Sequence, residues 1–592
     1  MAEHLPGMGA INASEGFAFR VWAPHARSVA VFGEFNDWSV EANPMTSEEN
    51  GYWYHPPIEN ASAGHEYKLW LANDDNGFAR RDPYSFQVTN SVGNSVLYNH
   101  DAFDWGGNGA NCPPHNSMVI YELHVGTFNN GPDADGTLHD VAERLDHLVD
   151  LGVNAIQLMP VAEFAGDQSW GYNPSDPFAV ESAYGGPDAL KSLVKQAHER
   201  GIAVILDVVY NHFGPSDLDL WQFDGWSEND LGGIYFYNDW RASTPWGDTR
   251  PDYGREEVRR YIRDNVLMWL ANYQMDGLRL DMTPFMRSVD GTERNLPEGW
   301  DLMRWLAETV RQEYPGRIII AEDLHGDPHV TSTDAGGAAF HAQWDALFVH
   351  PVREALEQVE DHYRSIADVT DALTHSYGDP FARVIYTESH DEVANGRSRV
   401  PASVDEGDQS GWAAQKRSTL GAALMLTAPG IPMLFQGQEF LEGGWFRDDV
   451  PLDWRRREDF AGIANLYADL ISLRLNRWGH SRGLTGGNIH VFHADEETNL
   501  LAYHRWAEGG PGDSVVVVVN LSAQGREDQR VGLPSGGLWT LRFNSDAPSY
   551  SALFGHAESF DLEAHDEGAD GLDFHGNVTI APYSVLIYSQ GA

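Results

Sequence analysis

Four short apolar runs of the sequence carry carboxylates, and an arginine and two histidines accompany them. The runs are DVVYNH at 207–212, GLRLD at 277–281, IIIAED at 318–323 and TESHDE at 387–392. A single carboxylate beside an apolar run is usually a helix cap or an ion-pair partner. Several of them together with Arg279, His212 and His390 are typical of a site that binds a neutral, polyhydroxylated ligand and stabilises an oxocarbenium-like transition state. The residue types therefore predict chemistry on a sugar.

Eight apolar runs, these four included, alternate with amphipathic helical stretches. They lie at 118–126, 154–161, 203–210, 277–283, 318–324, 345–350, 383–390 and 433–439. Eight buried strands separated by helices are the pattern of a (β/α)8 barrel, whose active sites lie at the carboxyl ends of the strands. We expect this TIM barrel to occupy residues 116–480. The irregular segment 211–255 is far longer than an ordinary βα loop and is expected to shape a wall of the cleft.

Strand-like runs without helices flank the predicted barrel on both sides. Residues 1–105 alternate apolar and polar positions between Gly and Asn-Asp turns, which predicts a small N-terminal β-sandwich. Residues 485–592 predict a C-terminal antiparallel β-sandwich, with SVVVVVN at 514–520 as its central strand. The expected fold class is therefore multidomain α/β, a TIM barrel between two β domains.

The composition excludes several classes of function. With 88 Asp+Glu against 39 Lys+Arg, the net charge of −49 disfavours nucleic-acid partners and anionic membranes. No apolar stretch approaches the roughly 20 residues of a membrane helix, and the first residues carry no signal-peptide pattern. The lone Cys112 cannot form an intramolecular disulfide. We therefore expect a cytoplasmic protein, and we expect it to be a monomer.

Lysine is scarce: only 4 of the 39 basic residues are lysines. An acidic, lysine-poor surface is typical of a protein adapted to high internal salt, where screening reduces self-repulsion; the alternative is an acidic enzyme of an ordinary cytoplasm. The single cysteine and the spacing of the histidines predict no metal site. The glycine-rich fragments lack the strand–GxGxxG–helix context of a nucleotide site, so we expect no cofactor.

In order, spacing and barrel placement, the four carboxylate-bearing runs strongly resemble the four signature regions of the α-amylase family of glycoside hydrolases and transglycosylases. The resemblance covers nearly the whole chain. It implies that Asp281 is the nucleophile, Glu322 the general acid/base and Asp391 the stabiliser of the transition state. It also implies that five further residues bind the sugar or orient the nucleophile, namely Tyr172, Asp207, His212, Arg279 and His390.

The residues themselves agree with these roles. Retaining glycoside chemistry needs one ionised and one protonated carboxyl group about 5–5.5 Å apart. Arg279 precedes Asp281 by two positions, so it shares the same strand face and would keep that carboxylate ionised. Glu322 follows apolar sequence, and partial desolvation would raise its pKa, as a proton donor requires.

The flanking sequences favour one activity within the family. VWAPHARSVAVFGEFNDW at 21–38 resembles the carbohydrate-binding sandwich of branching enzymes, debranching enzymes and maltooligosyl trehalose trehalohydrolases. Its tryptophans could stack on glucan or fill the core: Trp22, Trp38 and Trp53. AEDLHGDP, YTESHDEV and VPLDW resemble glycogen branching enzymes, although DVVYNH departs from their usual third-strand sequence.

We therefore expect 1,4-α-glucan branching, with an α-1,4-glucan or maltooligosaccharide as substrate. The hydrolytic alternatives are the trehalohydrolase and an α-amylase. An alternative of another class is an inactive glucan-binding protein, against which the intact acid trio argues.

Overall fold

The computed structural model of the chain describes residues 5–73, 77–107, 109, 112–131 and 135–591. Within them, eight parallel strands close into a barrel, and β-sheets precede and follow it. This is the fold class that the sequence predicts. Residues 108, 110 and 111, in the segment 106–115 between the predicted N-terminal and barrel domains, lie outside the described residues. The ends of the predicted terminal domains, residues 1–4 and 592, also lie outside them.

Two sheets of antiparallel strands form the N-terminal sandwich. The strands are β1 (Gly9–Asn12), β2 (Phe17–Trp22), β3 (Ser28–Gly33), β4 (Thr46–Ser47), β5 (Tyr52–Ile58), β6 (Glu66–Ala72), β7 (Gly77–Arg80) and β8 (Ser95–Val96). One sheet has the order β1-β2-β5-β4, the other β3-β6-β7, and β8 pairs with β6. The alternating sequence of β6 buries Tyr67, Leu69 and Leu71 because successive side chains point to opposite faces.

The tryptophans of this sandwich divide between core and surface. Trp22 and Trp53 are only 6% and 9% exposed, and the indole N–H of Trp53 donates to the carbonyl of Ala23 at 3.1 Å. Trp38 is 39% exposed and lies edge-on to Phe32. Two of the three residues that could stack on glucan therefore fill the core.

Ten strands lie in the central part of the chain. They are β9 (Ile120–Leu123), β10 (Ala155–Leu158), β11 (Ala162–Phe164), β12 (Pro174–Val180), β13 (Ala203–Val208), β14 (Gly277–Leu280), β15 (Ile318–Ala321), β16 (Ala342–Trp344), β17 (Arg383–Ile385) and β18 (Ile431–Phe435). β11 and β12 form an antiparallel hairpin, and the other eight close the barrel in the order β9-β10-β13-β14-β15-β16-β17-β18. The barrel strands are buried at every position, which explains their continuous apolar sequences.

Helices accompany the barrel strands. The structure contains α1 (Val125–Phe128), α2 (Leu138–Ala142), α3 (Leu145–Leu151), α4 (Gly186–Glu199), α5 (Glu256–Ala271), α6 (Pro284–Arg287), α7 (Pro297–Glu313), α8 (Ala346–Glu357), α9 (Ile366–Thr374), α10 (Val400–Val404), α11 (Trp412–Thr427), α12 (Arg456–Asp459) and α13 (Ala461–Arg474). In α5 the buried Val258, Ile262 and Val266 recur every four residues, the stripe of an amphipathic helix. The predicted long loop 211–255 contains two short 3-10 turns, Gly233–Tyr235 and Trp240–Ala242.

The sixth barrel strand lies before the predicted one. We predicted a strand at 345–350, but the strand is β16 (Ala342–Trp344), and the run DALFVH begins helix α8. Asp345 caps this helix, since its carboxylate accepts a bond from the amide of Leu347 at 3.1 Å. The run is apolar because α8 buries Phe348 and Val349 on its inner face. A short apolar run does not by itself distinguish a strand from a buried helical turn.

The C-terminal region forms two antiparallel sheets. Its strands are β19 (Asn488–Asp495), β20 (Leu500–Trp506), β21 (Val515–Asn520), β22 (Arg526–Leu533), β23 (Leu538–Asn544), β24 (Leu562–Glu563), β25 (Phe574–Ile580) and β26 (Ser584–Ser589). β21 lies between β20 and β26 within the six-stranded sheet, which confirms the predicted central strand. Val516, Val518 and Trp539 belong to the core between the strands. β22 was not predicted, because its first half is polar and largely exposed.

The chain divides into two compact units. The first comprises residues 1–111, 124–143 and 158–322, with the N-terminal sandwich, the β11–β12 hairpin and strands β13 to β15. The second comprises residues 112–123, 144–157 and 323–592, with β9, strands β16 to β18 and the C-terminal sheets. Across the described part of the chain, no helix combines the length and apolar character needed to cross a membrane.

Candidate active site

Three neighbouring barrel strands bring four of the predicted site residues to their carboxyl ends. Asp207 of β13 is in register with Arg279 of β14, and Arg279 is in register with Ile320 of β15. Asp281 and Glu322 each lie two residues further along the chain. Because side chains alternate along a strand, all four polar side chains project from the same side of the sheet. The strand register therefore accounts for the cluster in the first unit.

One buried guanidinium contacts all three carboxylates of this cluster. The Nη1 atom of Arg279 lies 2.7 Å from Asp207 Oδ2 and 3.1 Å from Asp281 Oδ1. Its Nη2 atom lies 2.7 Å from Glu322 Oε2. Burial alone would lower the pKa of Arg279, but the carboxylates of Asp207 and Glu322 raise it well above its ordinary value. Arg279 is therefore a permanent positive charge between the acids.

Asp281 is held by a donor at each carboxylate oxygen. Arg279 contacts Oδ1, and the Asn211 side-chain amide donates to Oδ2 at 2.7 Å and to the Asp281 carbonyl at 2.9 Å. These donors fix the orientation of the carboxylate. The side chain is 8% exposed, so a small part of the carboxylate remains accessible to a ligand.

Glu322 is oriented by the turn that follows Asp281. The backbone N–H of Met282 donates to Glu322 Oε2 at 2.8 Å, and Met282 has a φ of 37°, in the left-handed region that non-glycine residues rarely adopt. Thr283 donates to the Glu322 carbonyl through its amide at 2.9 Å and its hydroxyl at 2.8 Å. The residues that follow Asp281 thus fix the position of Glu322.

Tyr172 and His212 join the same cluster. The Tyr172 hydroxyl donates to Asp207 Oδ2 at 2.7 Å, and the carbonyl of Tyr172 accepts a bond from His212 Nε2 at 2.8 Å. The His212 ring stacks on Trp246, with centroids 4.7 Å apart and planes 13° apart. Burial lowers the pKa of His212 to about 4. Burial therefore disfavours the charged form of His212, whose Nδ1 atom also lies 2.5 Å from the Asn211 side-chain oxygen.

The second unit contains the other two predicted residues. His390 is buried and follows strand β17; its backbone N–H donates to Glu122 Oε2 at 3.0 Å, and its Nδ1 atom lies 2.8 Å from Glu122 Oε1. His390 Nε2 lies 3.6 Å from Asp391 Oδ2. The Asp391 side chain is 45% exposed. The buried Glu122 orients the imidazole, and Asp391 remains accessible to a ligand.

Sequence reasoning missed several of these contributors. Asn211 stands next to His212 in the YNH motif, and Glu122 is a lone charge in the apolar strand β9, so both had a signal. The Met282 amide had none, because a backbone donor is independent of residue type. Within the described ranges, the structure contains no group of three or more His, Cys, Asp and Glu side chains arranged to hold a metal ion.

Three family profiles match consecutive parts of the chain. The profile of the α-amylase catalytic domain matches residues 83–218 and 223–459. The profile of carbohydrate-binding module 48, the isoamylase N-terminal domain, matches residues 7–85. The profile of the α-amylase C-terminal all-β domain matches residues 490–591.

Curated relatives align along almost the entire chain. The 1,4-α-glucan branching enzyme GlgB of Salinibacter ruber is 30% identical, and the alignment covers 98% of this chain and 96% of that protein. GlgB of Corynebacterium jeikeium is also 30% identical, over 96% of this chain and 81% of that protein. A solved structure of pullulanase type I from Bacillus subtilis, complexed with maltose, shares the fold with a TM-score of 0.76 at 21% identity; the match covers 100% of this chain and 86% of that one. With the barrel, the carboxylate cluster and matches over most of its length, the chain belongs to the α-amylase family of glycoside-active enzymes.

Proposed function

We propose that this protein is a 1,4-α-glucan branching enzyme that works by double displacement with retention of configuration. The observation that carries the catalytic part of the proposal is the contact of Arg279 with Asp207, Asp281 and Glu322 at the ends of adjacent strands. Retaining enzymes need two carboxyl groups close together, one as nucleophile and one as proton donor.

In the first step Asp281 Oδ attacks the anomeric carbon of the α-1,4 bond. The bond between that carbon and the leaving O4 breaks, and the Glu322 carboxyl group gives O4 its proton. A glycosyl ester of Asp281 results. In the second step the Glu322 carboxylate takes the proton of an acceptor 6-hydroxyl, whose oxygen attacks the anomeric carbon and releases Asp281. The new α-1,6 bond has the original configuration because two inversions have occurred.

The other predicted residues bind the sugar at the cleaved bond. We assign Tyr172 to the aromatic platform beneath it and Asp207, His212 and His390 to its hydroxyl groups. Asp391, at the end of the seventh barrel strand, is assigned to the charge that develops on the sugar ring in the transition state. Arg279, 3.1 Å from Asp281 Oδ1, is assigned to orienting the nucleophile.

Transfer rather than hydrolysis is supported by the curated relatives, which are named as branching enzymes and are aligned over 81% and 96% of their length. Water is about 55 M in bulk, so transfer requires that the acceptor glucan be bound with a high effective concentration. The long loop 211–255 and the exposed Trp38 of the N-terminal sandwich are the surfaces that we assign to glucan.

The amino-acid composition also supports a proposal about the environment in which the protein functions. We infer a cytoplasmic monomer that needs no cofactor and functions at high salt. The net charge of −49 and the scarcity of lysine support the salt adaptation. The substrate is a neutral glucan, which such a surface does not repel.

The products formed from amylose test the activity. The purified protein is incubated with amylose and, separately, with trehalosyl maltooligosaccharides, and α-1,6 linkages, reducing ends and free trehalose are measured. A branching enzyme raises the number of α-1,6 linkages without a matching rise in reducing ends, and Asp281→Asn abolishes the change. New reducing ends alone would identify an α-amylase-type hydrolase, and free trehalose from trehalosyl maltooligosaccharides would identify the trehalohydrolase.

A further inference from the structure

Arg81 lies in the N-terminal sandwich, one residue after strand β7. Its side chain is 3% exposed, yet it makes three separate connections outside the sandwich. Nε donates to Asp176 Oδ1 at 2.8 Å, Nη2 donates to the Asp217 carbonyl at 2.5 Å, and the backbone N–H donates to Asp219 Oδ2 at 2.7 Å. Burial alone would lower the pKa of Arg81, but Asp176 and Asp219 raise it, so the residue stays charged.

The partners of Arg81 belong to two different walls of the candidate active site. Asp176 lies in β12, in the hairpin that carries Tyr172. Asp217 and Asp219 lie in the long loop 211–255, which carries His212. One guanidinium therefore joins the hairpin to the loop.

The two walls also meet at their other ends, beside the catalytic cluster. The amide of Gly214, in the loop, donates to the carbonyl of Pro174, in the hairpin, at 2.7 Å. His212 Nε2 bonds to the Tyr172 carbonyl at 2.8 Å, and Tyr172 in turn bonds to Asp207. Hairpin and loop are thus closed into one frame, with Arg81 at one end and Tyr172 at the other.

The sandwich also supports strained positions of the loop. Asp217 and Gln222 have φ values of 57° and 49°, in the left-handed region. Their carbonyls accept bonds from Arg81 and from the neighbouring Arg80, the latter at 3.2 Å. The Ser91 hydroxyl donates to the Asp217 carboxylate at 3.0 Å. Such conformations persist only where surrounding contacts hold them.

We propose that Arg81 is a positioning residue. It anchors the Tyr172 hairpin and the long loop to the N-terminal sandwich, and it thereby fixes the geometry of the sugar-binding walls. The role of Tyr172 in this statement rests on the proposed function. Because Arg81 acts through the walls and not through the carboxylates, its loss raises KM for glucan more than it lowers kcat. A displacement of about 1 Å at such a wall can cost 10²-fold in rate.

The test compares four variants of the full chain. Arg81→Gln removes the side-chain links to Asp176 and the Asp217 carbonyl and the ion pair of Nη1 with Asp219 at 3.7 Å. Arg81→Lys keeps the charge but cannot make these contacts together, and Asp176→Asn weakens only the link to the hairpin. Arg20→Gln is the matched control, because Arg20 is 12% exposed and its ion pair with Glu48, at 3.0 Å, lies within the sandwich. Steady-state kinetics on maltooligosaccharides and amide hydrogen exchange are measured for each.

We expect kcat/KM to fall about 10- to 100-fold in Arg81→Gln, mainly through KM, with smaller losses in Arg81→Lys and Asp176→Asn and less than a twofold loss in Arg20→Gln. Hydrogen exchange should rise at 170–176 and 212–219 in the Arg81 variants, at 170–176 in Asp176→Asn, and at neither wall in Arg20→Gln. Equal kinetic losses in the Arg81 and Arg20 variants, or unchanged exchange at both walls, would overturn the proposal. A wild-type protein without activity on α-glucans would refute the proposed function instead, and the exchange measurement would still decide the role of Arg81.

Discussion

Asp281 is held by two donors, Asn211 at 2.7 Å and Arg279 at 3.1 Å, one at each carboxylate oxygen. Asn at this position keeps one acceptor oxygen and so one of the two bonds, and its amide cannot attack an anomeric carbon. Asp281→Asn should therefore reduce kcat by several orders of magnitude without unfolding the protein. The measurement is turnover of amylose with circular dichroism as the folding control, and activity above about a tenth of wild type would remove Asp281 from the nucleophile role.

Glu322 is tested by a change of leaving group. Glu322→Gln keeps the bond from the Met282 amide, at 2.8 Å in the wild type, but cannot donate a proton to the leaving oxygen. The variant should therefore keep a much larger fraction of the wild-type rate on α-glucosyl fluoride, whose leaving group needs little protonation, than on amylose. Rates on the two substrates are compared in the variant and the wild type. Equal fractional losses on both would argue against the acid role.

The site residues differ in how far sequence can predict them. Asp281 and Glu322 stand two positions beyond in-register strand residues, so motif and strand period together predict their convergence. Asn211 and the Met282 amide orient these acids, yet their effect depends on the turns that follow β13 and β14. Turn geometry is set by contacts distant in the chain, which a single sequence does not display.

At the scale of elements, the base of the β11–β12 hairpin contains two buried acids. Glu163 accepts from the Ser182 amide at 2.8 Å, and Glu181 accepts from the Phe164 amide at 3.1 Å. The Ser182 hydroxyl lies 3.3 Å from one carboxyl group and 3.5 Å from the other. Burial, and for Glu163 also the charge of Glu181, raises the pKa of Glu163 to about 9, and burial raises that of Glu181 to about 7. At neutral pH the pair therefore retains a proton.

This pair predicts a loss of stability at alkaline pH. Above the ordinary glutamate pKa of 4.5, the folded protein holds a proton that the unfolded chain releases, so the free energy of unfolding falls as pH rises toward 9. Glu163→Gln removes the titrating group and keeps hydrogen-bonding capacity. Between pH 5 and 9 the free energy of unfolding should fall less in this variant than in the wild type, and the two decreases should differ by about 1 kcal/mol or more. Denaturant titration at each pH measures the free energy of unfolding.

An exposed acid in the same unit provides the control for this titration. Glu228→Gln, in the exposed part of the long loop, should keep the wild-type slope of stability against pH. If Glu163→Gln and the wild type have the same slope, the two carboxyl groups do not share a proton.

The elements show why strand prediction succeeded unevenly. Strands β13 and β15 are buried at every position, so their sequences are continuous apolar runs that the pattern predicts as strands. β16 has three residues and is followed at once by an apolar helix, so the longer helical run dominated the pattern. The polar β22 was missed because only its pairing with β25 defines it.

At the scale of the whole molecule, two of the four lysines are buried and make internal contacts. Lys416 is fully buried and lies 2.8 Å from the buried Asp546, and Lys191 is buried, donates to the His100 carbonyl at 2.9 Å and lies over the Tyr98 ring. The surface is left with a large excess of acids, 88 against 39 basic residues in the chain. Repulsion between these acids opposes the folded state at low salt.

Salt should therefore stabilise the protein. The Debye length falls from about 10 Å at 0.1 M to about 3 Å at 1 M, which screens the acidic surface. The Tm should rise between these concentrations of NaCl in differential scanning calorimetry. A Tm that stays level or falls would contradict adaptation to high salt.

The most direct test of the catalytic account is capture of the glycosyl–enzyme. The protein is exposed briefly to an activated 5-fluoro-α-glucosyl fluoride, which forms the ester faster than it is hydrolysed, then denatured, digested and analysed by mass spectrometry. The account predicts one added fluoroglucosyl group, on the peptide that contains Asp281, and none in Asp281→Asn. Labelling of a different carboxylate, or no labelling in a preparation that turns over amylose, would contradict it.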